Sequence, residues 1–249
     1  MLEKFFDAHL HLNAENLNTE NKSASNFYSG CISLHEDDNP VLKQGYVFSY
    51  GVHPLNPDKK FLYKLEELLS NQNKNSYRIL AVGECGLDFY NRENCTEEKR
   101  SLQMEVFDVQ IELAVKYGKT LVIHGRKANE EMFRRCNELS KCPQVLFHSF
   151  MGSVNEAESF IKKGVNAYFS FGKQALNGNK NVIKCVEELP LEKLLCETDA
   201  PYQFLKGEKK TFIEEIERVY EAFSKLRKIE RGNLCCKLEE NFKKCFGIL

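Results

Sequence analysis

Eight short apolar runs, each about the length of a β-strand, recur along the 249 residues. They are Lys4 to Leu10, Gly30 to Leu34, Tyr46 to Val52, Ile79 to Gly83, Thr120 to Ile123, Gln144 to Phe147, Ala167 to Phe171 and Leu194 to Thr198. From the fourth connection onward the intervening segments have helical periodicity. Leu102, Val106, Val109, Leu113 and Tyr117 repeat near 3.6 residues and stop at Gly118. Ser153 is the expected N-cap of a helix closed by Gly164, and Phe212, Ile216, Val219, Phe223 and Leu226 form a further apolar stripe. A last helix is predicted from about Lys228 to Lys244, whereas the Asn-rich first connection reads as loop. Strand–helix alternation predicts parallel strands joined by right-handed crossovers. Eight units favour an α/β fold consisting of a single (β/α)8 barrel of the TIM type, residues 1–249 forming one domain, over an open doubly wound sheet.

The ends of those runs carry the chemistry. The first closes on Asp7, His9 and His11, and the third on "GVHP" with His53. The fourth closes on Glu84 and Asp88, the fifth on His124 and Arg126, the sixth on His148, and the eighth on Glu197 and Asp199. Five of the six histidines thus stand at C-terminal strand ends, with His35 read as lying elsewhere. A lone strand-end histidine is ordinarily a hydrogen-bonded structural residue. Five of them on one rim of a parallel barrel, beside Glu84 and Asp199, are a different matter, because such groups need a cation among them. Residues two apart on a strand face one way, about 6.5 Å from each other, so His9 and His11 can share an ion. His124 and His148 form a second imidazole pair, and Glu84 is the natural bridge between two divalent ions.

Charge and cysteine usage set the limits. A formal net charge of −1 excludes an extended cationic track for nucleic acid but permits contact with a few phosphates. The ten cysteines sit mostly inside strand-like and helical runs without Cys-x-x-Cys spacing, so they read as reduced thiols of a cytoplasmic protein. The first residues read as lacking a secretory leader, no apolar stretch is long enough to be expected to span a membrane, and a monomer is the default expectation.

The ordered motifs "DAHLH", "GVHP", "VGECGLD", "IHGR", "FHSFMGS" and "ETDAPY", with "ENFKKCFGI" near the end, resemble the TatD-type family of metal-dependent deoxyribonucleases. The resemblance spans nearly the whole chain. It implies a metallo-dependent hydrolase barrel that binds one or two divalent ions and cleaves DNA phosphodiester bonds, most simply as an exonuclease on single-stranded ends. The implied metal ligands are His9, His11, Glu84, His124, His148 and Asp199. Imidazole-rich ligation suits zinc or manganese, whereas the resemblance points to magnesium, so the ion is left among these three. The sequence departs from the family after the sixth-strand histidine, at Ser149–Phe150–Met151. It departs again after Tyr202, where "QFLKGEKKTF" brings Lys206, Lys209 and Lys210.

Asp199 and Glu84 are the expected catalytic carboxylates, Asp199 as general base for a metal-activated water and Glu84 as bridge. Glu197 and Asp7 are expected behind the ligands, Asp7 orienting an imidazole. His53 and Arg126 are expected to meet substrate phosphate, Arg126 through its planar fork. Arg92 and Lys173 are further phosphate candidates, and Cys85 should face away from Glu84. Two alternatives stand beside the nuclease: a TatD-like hydrolase of another ester or amide, such as an aminoacyl-tRNA deacylase, and a non-catalytic metal- or nucleic-acid-binding protein.

Overall fold

The computed structural model describes residues 3–12, 27–38, 42, 44–71, 77–90 and 95–248. Its eight strands are β1 (Lys4–Leu10), β2 (Phe27–His35), β3 (Tyr46–Gly51), β4 (Ile79–Asp88), β5 (Thr120–Arg126), β6 (Val145–Phe147), β7 (Ala167–Phe171) and β8 (Leu194–Cys196). They pair in parallel, in sequence order, in one eight-stranded sheet. The sheet curls until its edges meet. Asp199 N–H donates to the His9 carbonyl (2.9 Å) and His11 N–H to that of Ala200 (2.7 Å), joining the end of β1 to the segment after β8. This is the expected (β/α)8 barrel, and the open-sheet alternative falls.

Helices cover the outside: α1 (Lys60–Ser70), α2 (Glu97–Lys116), α3 (Asn129–Arg134), α4 (Cys136–Leu139), α5 (Val154–Lys162), α6 (Lys180–Glu188), α7 (Ile216–Arg227) and α8 (Arg231–Cys245). Phe61, Leu65 and Leu69 recur every fourth residue and bury one face of α1, a helix in the third connection that the sequence reading had not singled out. Ser153 caps α5 in a full capping box with Glu156. The last helix starts at Arg231 and not at Lys228. Lys228 adopts a left-handed φ of 55° that ends α7, and the Glu230 side chain then caps α8. The Asn-rich first connection lies mostly outside the described residues.

Two β-bulges set what faces inward. In β1, Phe6 and Ala8 belong to the barrel interior, whereas Phe5, Leu10 and Leu12 pack on the helices, so the alternation changes phase along the strand. The pairing with β2 shifts at that point, between Asp7 and Leu10. An extra residue turns the face and brings His9 and His11 inside. β4 repeats the device: Ala81 points in, Val82, Cys85 and Leu87 point out, and the register with β5 shifts between Val82 and Cys85. Glu84 is thereby aimed into the mouth, and Cys85 faces the helices as expected. Gly83 and Gly86 flank it at φ of 141° and 131°; a Cβ there would lie 2.4 Å from the Val122 carbonyl and 2.1 Å from that of His124. At the opposite end, Phe242, Cys245 and Phe246 at the end of α8 close the interior apolar cluster. Asn241 fixes that floor by donating to the carbonyls of Leu191 (2.7 Å) and Leu194 (2.9 Å).

Candidate metal centre

One carboxylate organises the mouth. Glu84 is almost wholly enclosed, and its two oxygens face different imidazoles. Oε2 stands 3.2 Å from His9 Nε2, 3.6 Å from His11 Nε2 and 3.7 Å from His35 Nε2. Oε1 stands 2.8 Å from His124 Nδ1, 2.8 Å from His148 Nε2 and 3.3 Å from His53 Nε2. Asp199 joins the first set, with Oδ1 at 3.8 Å from His9 Nε2 and 3.4 Å from His11 Nε2.

All six predicted ligand residues are therefore brought together, and His35 comes with them. Placing His35 elsewhere is corrected here: β2 runs one residue beyond Leu34 and delivers the ring to the mouth, stacked on His11 with centroids 5.3 Å apart. Burial lowers its pKa to about 3, so the ring is neutral. His53, expected at a substrate phosphate, has its ring against Glu84, and its Nδ1 accepts from Leu55 N–H (3.1 Å).

The donor set fits divalent ions. His9 and His11 bring Nε2 atoms within 3.2 Å of each other, beside two carboxylates. Ligand atoms about 2.0–2.2 Å from a common centre stand roughly 3.0–3.6 Å apart, close to the separations found here. Three overlapping triads have their ligand atoms within 4.8 Å of one another: His9, His11 and Glu84; His9, His148 and Asp199; His53, Glu84 and His124. Burial alone would raise the Glu84 pKa, but His148, His9, His53 and the hydrogen bond with His124 hold it well below the ordinary carboxylate range. The same opposition lifts His148: desolvation is more than offset by Glu84 and Glu197.

Behind these groups stand their supports. Asp88 has Oδ2 at 3.0 Å from His124 Nε2, so both nitrogens of that ring face carboxylates. Its Oδ1 accepts from Tyr90 N–H (3.0 Å). Glu197 is fully buried, 3.7 Å from His148 Nδ1, and accepts from Ser170 Oγ (2.5 Å). Asp7 does not orient an imidazole. Its carboxylate accepts from the His9 N–H (3.1 Å), the Thr198 N–H (3.0 Å) and the Thr198 hydroxyl (2.5 Å), because the bulge turns it onto the β1–β8 seam.

The clearest omission of the sequence reading is Gln203. From a left-handed backbone at φ 53° its Nε2 lies 3.0 Å from Asp199 Oδ2, 3.3 Å from Glu197 Oε1 and 2.7 Å from Ser149 Oγ. Gln174 donates to the same Ser149 hydroxyl (2.9 Å). Nothing in the residue type signals this role; the unusual run after Tyr202 was the only pointer.

The phosphate candidates divide. Arg126 has its guanidinium 3.7 Å above the Tyr90 ring, at a cavity of about 460 Å³ that His148 also lines. Lys173 is withdrawn from that role. It is buried against Glu208 (2.6 Å) and Glu215 (2.5 Å). Arg92 lies outside the described residues.

Comparison with known proteins agrees with this geometry. The sequence profile of the TatD related DNase family matches residues 6–247. The chain belongs to the TatD-related DNase family. It is 30% identical over 267 aligned positions to an uncharacterized metal-dependent hydrolase of Mycoplasma genitalium, covering 98% of this chain and 99% of that one. A protein of Schizosaccharomyces pombe described as deoxyribonuclease Tat-D is 31% identical over 168 residues, 63% of this chain and 52% of that one. Among solved structures, a TatD homolog from Escherichia coli superposes with a TM-score of 0.85 over 100% of both chains at 22% identity, which speaks to the fold. This TatD-family chain is a metal-dependent hydrolase, with donor groups for one or two divalent ions. No helix among its described residues is long and apolar enough to cross a membrane.

Proposed function

We propose that this TatD-family hydrolase removes nucleotides from single-stranded DNA ends by phosphodiester hydrolysis. The observation that carries the reading is the division of Glu84, one oxygen facing His9, His11 and His35 and the other His53, His124 and His148. A carboxylate so placed suits two cations side by side, the arrangement best matched to an anionic reacting group with attacking and leaving oxygens. His9, His11, Asp199 and Glu84 Oε2 would hold one ion; His124, His148, His53 and Glu84 Oε1 the other. When bound, such ions supply Lewis acidity and make water acidic enough to serve as nucleophile near neutrality.

The chain's own groups do the rest. Asp199 takes the proton of the attacking water, since its side chain is 13% exposed against 4% for Glu84 and so reaches solvent. Gln203 holds Oδ2 of Asp199 in place. Asp88 fixes the ring of His124, and Glu197 faces Nδ1 of His148 at 3.7 Å. Arg126, with one face on Tyr90, offers its N–H edge to a phosphate oxygen. We take residues 1–249 as one catalytic unit. None of the ten cysteines is disulfide-bonded, which supports a reducing cytoplasmic setting.

The test uses a 3′-labelled single-stranded oligonucleotide with RNA, cyclic nucleotide and aminoacyl-ester substrates alongside. His124→Ala and Asp199→Ala should each abolish turnover while circular dichroism stays near native. Full activity in both variants overturns the assignment, and turnover of the ester alone replaces the nuclease with the deacylase.

A further inference from the structure

The segment after β8 leaves the metal centre as a rim of exposed aromatic and basic side chains. Tyr202 and Phe204 are 56% and 55% exposed, and Phe212 is also exposed. The Tyr202 ring stands edge-on to His11, centroids 5.2 Å apart, so this surface begins where the metal ligands end. Lys206, Lys209 and Lys210 are exposed between these rings. Lys210 lies 4.9 Å above Phe212, and among the described residues no carboxylate pairs with any of the three.

The one acid in the segment, Glu208, is spent elsewhere. Its oxygens meet Lys173 (2.6 Å) and Arg218 (3.1 Å), and it accepts from Leu205 N–H (2.8 Å). Thr211 N–H returns to the Pro201 carbonyl (2.9 Å), so the segment is a closed excursion with a pinned root. It therefore carries three lysines without a paired carboxylate among the described residues and three exposed aromatic rings. Exposed aromatics interleaved with free lysines offer both stacking faces and positive charge, and a strand with stackable bases and regularly spaced phosphates matches both features.

We propose that the 202–212 rim is the surface along which the single-stranded polynucleotide tail of the substrate runs. Bases stack on Tyr202 and Phe204, and Lys206, Lys209 and Lys210 neutralise about three phosphates. This rests on the nuclease reading for what lies in the metal centre, but the surface can be measured apart from it. A chain of near-zero net charge engages a polyanion only through such a local patch.

The experiment compares the wild-type chain with Phe204→Ala and with Lys206→Ala/Lys209→Ala/Lys210→Ala. The probe is a fluorescein-labelled oligothymidylate, read by anisotropy across a salt series. Turnover of bis(p-nitrophenyl) phosphate, too small to reach the rim, is measured in parallel. Phe204→Ala should weaken oligonucleotide binding about tenfold, the loss of one stacking platform. The triple variant should lower the slope of log affinity against log salt by about two, three phosphates at roughly 0.7 each. Both should leave small-substrate turnover unchanged.

Undiminished oligonucleotide binding in both variants overturns the proposal, as does tighter binding of duplex than of single strand. An equal loss of small-substrate turnover overturns it too, because the rim would then only support the centre. If the wild type binds the oligonucleotide through these residues yet hydrolyses no phosphodiester, the surface stands and the nuclease reading falls.

Discussion

Asp199 occupies a left-handed backbone conformation, φ 53°, which a non-glycine residue adopts only when its surroundings hold it there. Its N–H is tied to His9, its carbonyl accepts from Tyr202 N–H (2.7 Å), and its carboxylate is tied to Gln203. Burial alone would raise the Asp199 pKa, but the hydrogen bond with His11 and the neighbouring His9 and His148 hold it below the ordinary carboxylate range, and the Gln203 amide keeps Oδ2 aimed. Gln203→Leu is expected to lower kcat about 10- to 100-fold with a smaller effect on KM. An intact kcat removes Gln203 from the mechanism. The donor side chains of the candidate centre were legible because imidazole and carboxylate groups at strand ends carry their chemistry in their type. Gln203 and His35 were not. The first acts through a backbone twist, and the second was hidden by one residue at the end of its strand.

At the level of the strand, bulges decide what enters the mouth. Regular alternation would give β4 one inward set from end to end, and the shift after Val82 replaces it with another that includes Glu84. Gly86 permits the close approach of β4 to β5. Gly86→Ala would place a Cβ 2.1 Å from the His124 carbonyl at a φ of 131°. It should destabilise the protein by about 2–4 kcal/mol, read as a lower denaturation midpoint. An unchanged midpoint would mean that β4 can relax without cost. Periodicity located the strands because apolar content marks them. It could not place the bulges, since an inserted residue changes which face a side chain takes without changing the composition of the run. Asp7 shows the cost: two residues before His9 in an unbroken strand it would share its face, yet it lands on the seam.

For the molecule as a whole, the groups of the centre come from every part of the barrel wall except β7, so cations held there brace the mouth. Removing them with a chelator should lower the melting temperature by roughly 5–10 °C. That corresponds to about 2.7 kcal/mol for an ion at a hundred times its dissociation constant, in a chain of this size. Zinc or manganese should restore it; a melting curve indifferent to chelation would remove the ions from the account. The eightfold count of strands made the barrel legible, whereas its closure depends on contacts no local pattern records. Asp7 and Thr198, which lock the seam, are 191 positions apart. His9 and Asp199 become neighbours only through that join. A nascent chain still lacking its final strand carries the imidazoles of the early strands in scattered positions, with no working assembly among them. Hydrolytic capacity therefore arrives late in synthesis, once the ribosome has released the far side of the wall.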